Sequence, residues 1–139
     1  MSYDLEKELD KLNKKKIKTP IVPPIPDDDL IKQYEMEIDI KFPSDYKKFI
    51  KKVGYAIYNG LDNILLSPDL NNPRALISVI NDARESGLPH DWLPIVDSNA
   101  DYYCIRPDGK VTFWSNNGTT DEVWNDLATW IHEVWIEGN

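Results

Sequence analysis

The chain is poor in the residues that cross-linked, exported or catalytic proteins rely on. Cys104 is the only cysteine among 139 residues, which excludes an internal disulfide and suits a reducing compartment. No apolar run approaches the roughly 18 residues that a membrane span needs, and the first ten residues already mix acids with lysines where a secretory leader would be apolar. A cytoplasmic protein is the expectation. Histidine is scarce too, so acid–base chemistry near neutrality has only His90 and His132 as ready carriers. No glycine-rich phosphate loop, paired zinc ligands or Ser/His/Asp spacing can be found. The pattern points away from an enzyme, and no cofactor is expected.

Positive charge is missing from one half. Up to Gly54 there are 12 Lys against 11 Asp and Glu, a balance of +1, whereas from Tyr55 onward 4 Lys and Arg face 13 Asp and Glu, a balance of −9. Such an excess repels nucleic acid and anionic membranes and attracts basic proteins over distances set by salt screening. Direct nucleic-acid binding and membrane attachment are therefore not expected. A length of 139 residues with 41% apolar content suits one core and hence one domain.

Leu5, Leu9 and Leu12 recur at helical spacing, with acids early and Lys14, Lys15 and Lys16 late, as the helix dipole favours. The proline-rich stretch 19–26 cannot be helical, because proline donates no amide hydrogen and constrains its predecessor. Residues 1–22 thus read as a helix plus an extended connector, ahead of a core spanning 23–136. A second helix, capped by Asp27 or Asp28, carries Leu30, Ile31, Tyr34 and Ile38. A third starts at Pro43 or Ser44 and stops at Gly54, with Tyr46, Phe49, Ile50 and Val53 on one side.

Strand-like runs at 55–58 and 63–67 flank Asn59-Gly60, a hairpin turn signal. Asn72-Pro73 is expected to cap a fourth helix bearing Leu76, Ile77, Ile80 and Ala83 and ending at Gly87. Further strands are read at 93–97, 101–106 and 110–115, the last two joined by the turn Pro107-Asp108-Gly109. Leu127, Trp130, Ile131, Val134 and Trp135 form the stripe of a last helix. Its start is placed at Asp126, leaving 120–125 as a loop or edge strand, although Thr119 to Glu122 also has the form of a capping box.

Most chemically suggestive residues have plainer explanations. His90 sits in a loop and His132 beside an apolar stripe; Cys104 lies mid-strand, as a packed thiol would. Asp97, Asn99 and Asp101, with Asp108 beyond, resemble a calcium ladder, but Tyr102 stands where that loop needs glycine and strands flank it, so no metal is expected. The Asp27 to Asp29 triplet suits a helix N-terminus. Lys14, Lys15, Lys16 and Lys18, with Lys47, Lys48, Lys51 and Lys52, fall opposite apolar stripes as solvated faces.

Aromatic and acidic residues then remain together in one window. Asp91, Asp97, Asp101, Tyr102, Asp108, Trp114, Asp121, Glu122 and Trp124 are the candidate partner-binding set, with Trp92, Tyr103 and Asp126 nearby. An exposed Trp114 or Trp124 would anchor a partner while the carboxylates steer a basic one inward. The alternative is an all-core aromatic set under an ordinary acidic surface. Period-two patterning does not choose the exposed face, since Tyr102/Cys104 and Tyr103/Ile105 are about equally apolar.

Several ordered motifs resemble the SUKH superfamily. They are the prolines at 23–26 followed by Asp27 to Ile31, Tyr34-Glu35, Ile40-Lys-Phe-Pro43 and Ser44-Asp-Tyr46-Lys-Lys-Phe-Ile50. Later come Trp92-Leu-Pro-Ile95, Asp101-Tyr-Tyr-Cys-Ile105, Gly109-Lys-Val111, Trp114 and Leu127 to Ile131, in the same order. Ala100 stands where the family usually has glycine, and Arg106 where an acid is frequent. The resemblance implies an α+β fold, a mainly antiparallel curved sheet with N-terminal helices and a C-terminal helix packed against it. It also implies an immunity protein that neutralises a polymorphic or contact-dependent toxin, nucleases among them. The partner would be a basic toxin domain. A regulatory interaction module of the same superfamily is the alternative, and a small hydrolase the third.

Overall fold

Most helices begin where the sequence supplies an acceptor for the first free amides. The computed structural model describes residues 3–138. Asp4 accepts from the Glu6 amide at the start of α1 (Leu5–Lys15), and Asp27 accepts from Leu30 at the start of α2 (Asp28–Ile38). Asp39 closes α2 in the left-handed conformation, φ 58°. Pro43 leads into α3 (Ser44–Lys52). Asp126 caps α5 (Leu127–Trp130) through the Thr129 amide, and α5 runs on as a π-helical segment, Ile131–Ile136.

α4 (Leu76–Glu85) departs from expectation at its start. Asn72 accepts from the Arg74 amide within the preceding turn, and the helix begins after Ala75 without a side-chain cap. Its entry is fixed instead by the Leu76 amide, which donates to the Leu65 carbonyl.

The strands β1 (Ile57–Tyr58), β2 (Leu61–Asn63), β3 (Leu93–Ser98), β4 (Asp101–Ile105), β5 (Val111–Ser115) and β6 (Gly118–Trp124) form one sheet in sequence order, every neighbour antiparallel. The first hairpin turns at Asn59-Gly60, both at positive φ, as the turn signal predicts. Its second strand, expected over 63–67, instead spans Leu61–Asn63. After Asn63 the chain leaves β2 toward α4, with the Ile64 amide still donating to the Ile95 carbonyl and a parallel bridge joining Leu65 to Ala75.

One hydrophobic cluster joins the helices to the sheet, with Tyr34, Tyr46, Phe49, Trp130 and Trp135 all but sealed. The division at Pro23 does not divide the packing, because Leu9 and Leu12 of α1 are fully buried members of that cluster. Buried Glu8 fixes α1 further, its carboxylate lying 2.8 Å from His132 Nδ1 on the last helix and 3.2 Å from Lys11.

Tyr34 donates to the Ser67 carbonyl at 2.6 Å. Burial pushes its phenol up to about 12, and burial followed by the Asp62 hydrogen bond pushes Tyr55 to about 12; burial drives Tyr46 upward as well. An unfolded tyrosine ionises near pH 10, so these groups favour the folded state fully below that pH and progressively less as pH climbs toward 12. Base titration should therefore show tyrosinate absorbance rising together with loss of circular dichroism. A fold that survives while all the tyrosines ionise at their ordinary value would contradict this.

The turn between β3 and β4 holds strain. Asn99 and Ala100 have φ of 55° and 70°, and the Ala100 amide donates to Asp97 Oδ1. Asparagine tolerates this conformation; for alanine it costs roughly 1–2 kcal/mol. Glycine removes the strain but gives back about 0.5–1 kcal/mol through its freer unfolded state. Ala100→Gly should raise unfolding free energy by roughly 0.5–1 kcal/mol in urea, with an unchanged denaturant slope.

Candidate protein-binding site

The sheet register decides which acids meet. Asp62 of β2 lies directly opposite Asp97 of β3, and Tyr102 of β4 lies opposite Asp97 on its other side. Cross-strand partners share a face, so the three side chains line one surface. α4 adds Val79 and Asp82, three residues apart and therefore on one side of the helix. Pro23 and Tyr55 complete a groove of about 460 Å³, with Arg74 as a cation on its rim.

The groove is electrostatically unbalanced. Among the described residues, Asp62, Asp82 and Asp97 form no ion pair. Tyr55 donates its hydroxyl to Asp62 Oδ2 at 2.9 Å, and burial together with that bond raises its ionisation further above the neutral range. Burial, then Asp97, Asp82 and Asp101, push Tyr102 upward as well. Like charges directly opposite in a sheet destabilise it. A ligand cation between Asp62 and Asp97 would relieve that repulsion and gain charge-assisted hydrogen bonds.

The structure splits the window of candidates read from the sequence. Asp97 and Tyr102 line the groove, while Asp101 accepts from the Asn116 amide at the same end of the sheet. Asp91 and Asp108 lie at the opposite end, Asp91 exposed ahead of β3 and Asp108 in the β4–β5 turn. Asp108 accepts from the Lys110 amide and pairs with Arg106, which hold its carboxyl below the usual range. Asp121 and Glu122 stand exposed on β6. Trp124 is half-buried, edge-on to Tyr103.

Trp114 lacks the exposure that an anchoring role requires. It is 3% exposed and lies beside Tyr102, its cross-strand partner on the same face, the rings parallel within 9° and 6.1 Å apart. The sheet is covered on both faces there: Tyr103 meets Trp130 on one, and Tyr102 shares the groove with α4 on the other. Tyr102 is the accessible member of the pair.

The calcium ladder also comes apart. Asp97 and Asp101 are separated from Asp108 by the whole of β4, about 15 Å at the usual rise of a strand, and among the described residues no three potential ligands converge on a metal position. His90 faces Asp39 at the surface, and burial pushes the Cys104 thiol up. Lys51 pairs with Asp28, and Lys52 with Glu6 and Asp10, so those lysines serve helix packing. No helix among the described residues is long and apolar enough to cross a membrane.

Sequence reasoning missed Asp62, Asp82 and Tyr55. The available signal was Asp62 itself, a carboxylate following a hairpin turn in a short strand, where its partner across the ladder had to be found.

Known proteins resemble the chain in sequence and in fold. A family model, SUKH_5 (SMI1-KNR4 cell-wall), matches residues 5–136. A crystal structure of a protein from Pseudomonas syringae pv. tomato is similar at 28% identity, covering 96% of this chain and 99% of that one, with a TM-score of 0.85. No curated protein matches.

Proposed function

Because this chain belongs to the SUKH_5 (SMI1-KNR4 cell-wall) family, we propose that it is a non-catalytic immunity protein of the cytoplasm that neutralises a cognate bacterial toxin by covering a basic surface on it. The observation that carries the reading is the Asp62 and Asp97 couple facing across β2 and β3, without an ion pair among the described residues, with Asp82 beside it and two phenols as walls. A toxin that cleaves nucleic acid must present cations to phosphates. Lysine or arginine from such a cleft fits between these carboxylates, and its burial there denies the substrate access.

The wider charge distribution supports the same partner. The −9 balance after Tyr55 gives long-range attraction, which raises association rates by roughly 10 to 10³-fold. Speed matters for a protein that must act before damage accumulates. Co-expression with the toxin domain encoded beside it should restore growth, and the purified pair should form a salt-sensitive complex. Binding without rescue would indicate a regulatory module instead. Neither rescue nor binding with any neighbouring toxin domain would end the immunity reading.

A further inference from the structure

A charged groove gives a complex speed and selection more than lasting affinity, which comes from apolar anchors near its centre. The tryptophans of the acidic window do not supply one, Trp114 being buried and Trp124 half-buried. Among the described residues six large apolar side chains are exposed, and four of them, Ile17, Ile21, Val22 and Ile25, belong to the connector between α1 and α2. Ile21 and Val22 are 84% and 73% exposed. Single exposed apolar residues need no explanation, but a contiguous group marks a contact surface.

The connector holds these side chains stiffly. Pro20, Pro23, Pro24 and Pro26 fix their own φ angles, and Thr19 Oγ1 donates to the Ile21 carbonyl at 2.8 Å. Both arms are tied to the body. The Ile17 amide donates to the Ile57 carbonyl at 2.8 Å, Pro26 is buried, and Ile25 Cγ1 comes within 3.3 Å of where a β-carbon on Gly54 would stand. A stiff loop loses little entropy on binding.

Two depressions open beside the connector, and both are acidic. Pro23 lines the groove of Asp62, Asp82 and Asp97. One residue on, Pro24 and Ile25 line a second depression of about 410 Å³ with Asp27, Asp29 and Leu30. Lys51 takes Asp28, but Asp27 and Asp29 form no ion pair among the described residues, and their two charges exceed the half charge of the α2 N-terminus. The cations Lys16 and Lys18 lie on the arm that leads in from α1, where Lys16 donates to the Val53 carbonyl. Acids at both depressions disfavour a second copy, which would set carboxylates against carboxylates, and repel an anionic membrane. They favour a basic protein.

We propose that the connector, Ile21 to Ile25, is an apolar anchor that enters a hydrophobic notch of the toxin, between cations received by Asp62, Asp82 and Asp97 in the groove and by Asp27 and Asp29 in the second depression. This rests on the basic partner proposed above and adds the contact by which it is kept.

The probe is the capped pentapeptide Arg-Leu-Phe-Leu-Arg, titrated into protein labelled in its isoleucine and valine methyl groups and in its amides. Saturable shifts are expected at the Ile21, Val22 and Ile25 methyls together with amides of the groove or of residues 27–30. Serine in place of the three apolar residues, or glutamate in place of both arginines, should each cost at least about tenfold in affinity, and so should Ile21→Ser with Val22→Ser in the protein. Both side chains are exposed, so thermal unfolding of that variant should match the parent. Shifts confined to the groove, equal binding by the serine peptide, unchanged affinity of the variant, or no saturation at millimolar peptide would each overturn the anchor. Parent protein that sediments with phosphatidylglycerol vesicles, or dimerises in the ultracentrifuge, only while Ile21 and Val22 are intact would overturn it in favour of a membrane or a second copy.

The toxin domain encoded beside the gene separates this from the immunity reading. The serine variant should release that domain at least about tenfold faster than the parent. If it holds the toxin and protects cells as well as the parent while Asp62→Asn/Asp97→Asn fails, the anchor is wrong and immunity stands. If the parent protects against no neighbouring toxin but the peptide still engages connector and acids together, immunity is wrong and the anchor stands.

Discussion

Replacing Asp62 and Asp97 together by asparagine is expected to weaken the complex with a cationic toxin by about 100-fold or more, since losing a buried interfacial charge partner costs roughly 2–5 kcal/mol and each 1.4 kcal/mol is tenfold. The fold should become no less stable. Asparagine keeps an acceptor for the Tyr55 hydroxyl and for the Ala100 amide, while the repulsion between facing carboxylates disappears. A cross-strand charge pair is worth about 0.2–1 kcal/mol, so a rise of that size in unfolding free energy should accompany the loss of binding. Titration calorimetry at low and high salt, beside urea denaturation, measures both. Unchanged affinity, or destabilisation beyond about 1 kcal/mol, would show that the couple serves the fold and not a partner.

The second large effect separates two tryptophans that look alike in the sequence. Trp130 and Trp135 are both fully buried and pack on each other at 5.6 Å. Trp135 also meets Phe49 of α3, and its Nε1 donates to the Tyr58 carbonyl of β1 at 3.0 Å. Truncating it to alanine should cost about 3–5 kcal/mol, a large share of the roughly 5–15 kcal/mol that holds a domain together. Phenylalanine makes the sharper comparison. Trp130 Nε1 is buried with no acceptor among the described residues, so Trp130→Phe removes an unsatisfied donor, whereas Trp135→Phe strips a hydrogen bond from the sheet. Trp135→Phe should be the worse of the two by roughly 1–2 kcal/mol in urea unfolding. The reverse order would mean that packing volume, and not the indole hydrogen bond, governs this junction.

Signals carried by neighbouring residues were legible in the sequence. Asp27 and Asp126 cap helices as their positions suggest, and Asn59-Gly60 and Pro107 to Gly109 turn the chain where expected. Asn72 failed as a helix cap because the turn before α4 uses its side chain first. The burial of Trp114 was not legible because strands covered on both faces lose their alternation, so no pattern marked which of Tyr102 and Trp114 reaches solvent. The groove was only half visible. Asp97 and Tyr102 belong to one acidic and aromatic window, but Asp62, Tyr55 and Asp82 come from segments with no local oddity and are gathered by strand register. A reading that searches for clusters along the chain keeps Asp108, 11 positions from Asp97 yet at the far end of β4, and passes over Asp62, 35 positions away and directly opposite.

The seating of α1 against the last helix has a consequence for biosynthesis. Leu9 and Leu12 have their cover, and Glu8 its His132 partner 124 residues away, only after the final helix has been made. At the usual elongation rates of about 5–20 residues per second, an amphipathic helix waits on the ribosome for roughly 6–25 seconds with its leucine stripe unprotected. Nascent chains of this protein should therefore engage chaperones early and become protease-resistant only once the last helix has emerged, and a premature stop ahead of Trp130 should yield a product that is degraded rather than stored.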